Sequence, residues 1–160
     1  MIITRQDPFS FRLQTGETIV NFDQRFSVLD LKTPAGRFTA TTPGEYEMEG
    51  IAVEGADNGN KDSVFYTIHW DDMVVGLGNA KTGTAYDILL MFVAKPAETA
   101  RALANIEARM VIPFGEEKTV AAFLKERDEK PEEMEKLTLK KKDIPPEGTQ
   151  KIVLLKPLKK

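Results

Sequence analysis

The chain has 160 residues, 41% hydrophobic and 29% charged, with no cysteine and one histidine. Those last two counts exclude disulfide scaffolds, thiol nucleophiles, iron–sulfur clusters and thiolate zinc sites, and His69 alone falls short of the two or three imidazoles of the usual catalytic zinc centre. The length and apolar content suit one domain, residues 1–160, and a formal charge of −3 gives no overall drive toward nucleic acid or anionic membrane.

Residues 1–86 read mainly as β-structure. Phe9, Phe11 and Leu13 alternate with Ser10, Arg12 and Gln14, a period of two that puts one face on a core, and Thr15-Gly16 offers a turn. Apolar residues continue through Glu17 to Phe22 and Phe26 to Leu31. Pro34-Ala35-Gly36 and Pro43-Gly44 then leave Arg37 to Thr41 and Tyr46 to Glu54 as short strands of a β-meander. Gly55 to Asn60 is a polar, glycine-rich loop. Beyond it Val64, Tyr66, Ile68 and Trp70 alternate with Phe65, Thr67 and His69, and Asp71-Asp72 separates this run from Met73-Val74-Val75 as a hairpin turn.

Residues 87–127 read as βαβα. Ile88 to Val93 is apolar at every position, the mark of a strand covered on both faces. Pro96 opens a helix expected over Ala97 to Ala108, and Met110 to Pro113 is a second buried strand, so a right-handed βαβ unit with parallel strands is expected. Thr119 to Arg127 is a second helix with Val120, Phe123 and Leu124 on its apolar side. Residues 130–160 hold the charged run Lys130-Pro131-Glu132-Glu133, a turn at Pro145 to Gly148, and a closing β-hairpin expected between Leu137–Leu139 and Ile152–Leu155. From Lys136 onward eight lysines face Asp143 and Glu147, so this end carries about +6. With no apolar run long enough to span a bilayer and no signal-peptide pattern at the start, the expectation is a soluble, cytoplasmic protein.

Candidate chemistry is sparse. His69 lies in a strand with no acid or nucleophile signalled near it and reads as a surface or structural histidine. Gly76-Leu77-Gly78-Asn79-Ala80 resembles part of a phosphate loop but lacks the third glycine of a dinucleotide fingerprint and the Gly-Lys-Ser/Thr of a P-loop. Asp57, Asp62, Asp71 and Asp72 are oxygen donors, yet their spacing lacks the closing glutamate of an EF-hand, and loop solvation accounts for them. Lys140-Lys141-Lys142 has no interleaved aromatic residue for base stacking, which disfavours nucleic acid as a partner.

Several segments, in order, resemble the metallo-β-lactamase-fold superfamily, specifically its small UlaG-like branch of zinc-dependent hydrolases. Thr42-Pro43-Gly44-Glu45-Tyr46-Glu47-Met48-Glu49-Gly50-Ile51 is similar to the GPGEYEIKGV segment of that branch. Met1 to Thr4 with Phe11 to Leu13 resembles its opening strand pair. Asp87 to Leu90 and Met110 to Pro113 resemble its DVLLIPV and KIVIPMHY strands, and Leu137 to Asp143 with Ile152 to Leu155 its lysine-rich ending.

The resemblance implies an α/β fold, a β-rich sandwich like a truncated metallo-β-lactamase domain. It also implies where zinc ligands belong, and those positions carry other residues. No HxHxDH stands between Phe26 and Thr42, a segment too short for the family's strand, loop and helix. HLGD becomes Gly76-Leu77-Gly78-Asn79, IPMH becomes Ile112-Pro113-Phe114-Gly115, and the aspartate of IDPF falls at Asn21. Asn21, Gly76, Asn79 and Gly115 are therefore the vestigial metal-site positions, with no catalytic residue, metal or cofactor implied. The resemblance thus points to a non-catalytic structural or protein-interaction module, a homo-oligomer or a binder of another protein through a sheet face uncovered by the lost helix layer. The alternative is a metal-dependent hydrolase with a rebuilt or partner-completed site.

Overall fold

The computed structural model describes residues 1–57 and 63–158. Alternation in the N-terminal sequence produces five antiparallel strands, β1 (Ile2–Asp7), β2 (Ser10–Thr15), β3 (Thr18–Asp23), β4 (Val28–Thr33) and β5 (Gly36–Ala40), joined as a meander. Ile3, Phe11, Leu13, Val20, Phe22, Leu29 and Leu31 all point to one buried face. Gly16, at φ 59, takes the first central position of the two-residue β2–β3 turn. That is the position a type II′ hairpin reserves for glycine.

The chain then crosses to a second sheet through β6 (Gly44–Met48), β7 (Ile51–Asp57), β8 (Val64–Trp70) and β9 (Met73–Gly78), all antiparallel. Here the single strand expected over Tyr46 to Glu54 divides in two, because Glu49 (φ 49) and Gly50 (φ 79) turn left-handed and fold β6 back on β7. The hairpin expected at Asp71-Asp72 forms, with both aspartates left-handed at φ 55 and 61.

From β10 (Ala85–Phe92) the chain enters α1 (Pro96–Leu103), returns as β11 (Glu107–Phe114) and continues into α2 (Glu117–Glu126). β9, β10 and β11 are mutually parallel. The first helix ends sooner than its alanine content suggests. After Leu103, Ala104, Asn105 and Ile106 bond carbonyls three residues back, the last turn tightens, and Ala108 is already in the next strand. No helix among the described residues is long and apolar enough to cross a membrane.

The C-terminal segment supplies β12 (Glu133–Met134), β13 (Lys136–Thr138), β14 (Lys151–Ile152) and β15 (Leu154–Leu155). They do not form the expected hairpin. β13 extends the first sheet beside β1, β14 extends the second beside β11, and β15 pairs with β12. The orders are β13-β1-β2-β3-β4-β5 and β14-β11-β10-β9-β8-β7-β6. Alternation explains why this end spans both sheets: Leu139, Val153 and Leu155 reach the core between the sheets, while Ile152 points the other way, under the helices.

Two apolar layers result. Between the sheets lie Ile3, Phe11, Phe22, Tyr66, Ile68, Val75, Leu77, Ile88, Leu90, Ile112 and Phe114. On the far side of the second sheet, Leu89, Met91 and Val111 meet Leu103 of α1 and Phe123 of α2, so the central strands are apolar at successive positions. Among the described residues no helix covers the outer face of the first sheet, and that face is largely polar: Thr4, Arg12, Gln14, Asn21, Asp30, Lys32, Arg37 and Thr39 lie along it, with Ile2, Ile19 and Val28 among them. The apolar uncovered face expected from the resemblance is absent there. Among the described residues the large exposed apolar side chains are Ile2, Phe26 and Leu158.

Candidate functional site

Ligands of open α/β sheets sit beyond the carboxyl ends of parallel strands. In this chain those ends are Gly78-Asn79 after β9, Phe92-Val93 after β10 and Phe114-Gly115 after β11. Gln24, from the β3–β4 turn, and Phe65 join Asn79, Phe92 and Lys95 around a cleft of about 570 Å³ there.

Beside the cleft the strand ends are filled with rings. Phe114 is fully buried, edge-on to Phe11 at 4.9 Å between centroids, with Phe92 at 5.6 Å and Phe22 at 6.5 Å. Gly78 is left-handed (φ 98), and a Cβ there would lie 2.8 Å from Gln24 Oε1 and 3.3 Å from the Phe22 ring. Any side chain at Gly78 would have to displace Gln24 and press on the Phe22 ring. At the end of β11, Gly115 (φ 134) has Val93 O 3.1 Å from where its Cβ would stand.

Below this region lies a buried guanidinium. Arg5 is 6% exposed and donates from Nη1 to Leu155 O (3.0 Å) and from Nη2 to Gly115 O (2.9 Å) and Pro8 O (3.1 Å). Burial pushes its pKa down from the ordinary arginine value, opposed by the charges of Asp7 and Glu133. The fork ties together the end of β11, the β1–β2 turn and the C-terminal segment. A fixed cation at the Gly115 carbonyl also works against a second cation at the end of β11.

The positions singled out in sequence fall in different places. Asn79 walls the cleft, its Oδ1 accepting from Ala80 N–H at 2.8 Å, and Gly115 ends β11. Gly76 lies inside β9 on the helix side, where a Cβ would come within 2.6 Å of Leu89 Cδ1 and 2.8 Å of the Tyr86 ring. Asn21 is exposed on the outer face of the first sheet, opposite Arg12 and Asp30. His69 is exposed on β8, paired in register with Ala52 and Val74. Asp57 and the Asp71-Asp72 turn are at opposite ends of the seven-residue β8, roughly 20 Å apart at strand rise, and Asp62 lies outside the described residues. Lys140 and Lys142 are exposed, while Lys141 Nζ is 3.3 Å from both oxygens of Asp87.

Three polar residues escape sequence reasoning. Arg5 follows Ile3 on the inward side of β1, and that register is its only signal. Asp87 is buried at the head of an apolar strand, where Oδ2 accepts Val74 N–H at 2.8 Å. Gln24 Oε1 is buried with no hydrogen-bond partner among the described residues, and no local pattern marks it.

A search of solved structures finds a candidate zinc-dependent hydrolase of the metallo-β-lactamase superfamily from Thermotoga maritima, at TM-score 0.70 over 97% of this chain and 98% of that one, with 18% sequence identity. This is a metallo-β-lactamase-type fold. No family model and no curated protein matches the sequence. The fold family implies zinc, and the residues at these strand ends do not fit it. Zinc takes imidazole, thiolate or carboxylate donors at about 2.0–2.3 Å, whereas the strand ends present glycine, asparagine and phenylalanine. Among the described residues no three His, Asp or Glu side chains come together to hold a metal ion.

Proposed function

We propose that this chain is a shortened, UlaG-like relative of metallo-β-lactamase-fold hydrolases that binds no metal and acts as a protein-interaction module rather than an enzyme. The observation that carries this reading is what stands at the positions where the resemblance expects ligands: Gly76, packed against Leu89 and Tyr86, and Asn79 and Gly115 at the strand ends beside the buried Phe114 ring. Hydrolysis in that superfamily depends on a metal ion that makes hydroxide from water near neutral pH. A glycine or phenylalanine offers no side-chain donor, and among the described residues His69, exposed on β8, joins no carboxylate cluster.

The test is thermal melting of the full chain with zinc, manganese or a chelator added. A ligand that binds only the folded state raises stability by about 2.7 kcal/mol at a hundredfold excess over its Kd, or several degrees in a protein of this size. The reading predicts melting temperatures within about 1 °C of one another. A rise of several degrees with zinc, reversed by chelator, transfers the chain to the hydrolase reading with a rebuilt site.

A further inference from the structure

The two flanks of the sandwich carry opposite charge on unpaired strand edges. On one flank β6 is the last strand of the second sheet, with Glu45 and Glu47 exposed and Tyr46 and Met48 turned inward. Glu45 stands directly across from Glu54, a like-charged pair relieved by the Lys81 ion pair to Glu54. On the other flank β13 is the last strand of the first sheet. Lys136 and Thr138 are exposed there, Leu137 and Leu139 turn inward, and Lys140 continues the extended backbone. Leu139 N–H bonds Met1 O at 2.9 Å, so the antiparallel alternation points the backbone groups of Thr138 and Lys136 away from β1. Glu45, Glu47, Lys136 and Lys140 form no ion pair among the described residues.

Charged residues on a strand edge repel a like edge. Here the two edges are unlike: Glu45 and Glu47 alternate with Tyr46 and Met48 on one, and Lys136, Thr138 and Lys140 alternate with Leu137 and Leu139 on the other. We infer that β6 of one copy pairs with the free edge of β13 (Lys136–Thr138) of a second copy, with the Lys140 side chain beside it, continuing one sheet across the contact. The carboxylates meet the lysines on the outer face, and Tyr46 and Met48 meet Leu137 on the inner one. Because the two surfaces are different and lie on opposite flanks, the contact is head-to-tail and generates rings or open chains. This inference rests on the interaction-module reading and names its partner.

Sedimentation of the full chain from micromolar to near-millimolar concentration tests it. The average mass climbs with concentration at low salt and returns to that of one chain at high salt, where exposed charges are screened. The double variants Glu45→Lys/Glu47→Lys and Lys136→Glu/Lys140→Glu each remain single, with unchanged circular dichroism, and an equimolar mixture of the two associates again. Should either reversal disturb folding, the Gln versions of the same pairs replace it, with weakened association expected. A wild-type chain that stays single at all concentrations overturns the inference, as does association that survives in either variant or a mixture that stays single. That result leaves the metal-free reading standing, whereas a metal-dependent rise in melting temperature removes that reading whatever the mass.

Discussion

Arg5 and Tyr66 are polar side chains sealed into an apolar sandwich, and each is held by backbone carbonyls. The Arg5 fork holds three segments distant in sequence, so Arg5→Met leaves the Leu155, Gly115 and Pro8 carbonyls without that donor. A loss of about 3 kcal/mol is expected in denaturant melts, and Arg5→Lys recovers little because one ammonium lacks the planar fork. Tyr66 is fully buried, its single O–H shared between Ser27 O (2.6 Å) and Ala40 O (3.0 Å), and burial pushes its hydroxyl pKa up to about 12. The unfolded tyrosine titrates near 10, so between about pH 10 and 12 the unfolded chain loses this proton while the folded chain keeps it. Stability therefore falls as pH rises through that window. Tyr66→Phe removes this component of the alkaline loss and costs about 1–3 kcal/mol at neutral pH by leaving two buried carbonyls short of a donor. Paired melts at pH 8 and about pH 11 check both statements, and an equal alkaline loss in the variant contradicts them.

At the scale of elements, the sequence pattern is most legible where local physics decides. Alternation marks β2 and β8, the unbroken apolar run marks β10 as doubly covered, and Asp71-Asp72 marks a hairpin. Misreadings arise where a turn uses residues without a strong signal or where pairing is distant. Glu49 takes a left-handed conformation that its residue type disfavours, so β6 and β7 read as one strand. Leu137 and Ile152 both lie in short apolar stretches, and nothing local says that one joins β1 and the other β11. The positions proposed as vestigial come only from the resemblance, the packing of Phe114 has no local sign, and Arg5 is marked only by its register on β1. The β8–β9 turn is a further test: Asp72, at φ 61, carries a side chain where a two-residue hairpin favours glycine. Asp72→Gly is expected to stabilise by about 0.5–1 kcal/mol, raising the melting temperature by about 1–4 °C. An unchanged or lower value contradicts the strain assigned to that turn.

Over the whole molecule, charge and layering act together. Helices cover one face of the second sheet, the outer face of the first sheet is polar, and the lysine-rich end spans both sheets on the flank opposite the acidic edge of β6. The single histidine sits outside the strand-end cleft, on the surface of β8. The ends of β9, β10 and β11 carry glycine, asparagine and phenylalanine around the cleft, and the proposed reading is that they hold no metal. Elemental analysis of the untagged full chain, purified without chelator, tests that claim most directly. Zinc, manganese and iron far below one equivalent are the predicted result, and a stoichiometric amount of any of them would contradict it.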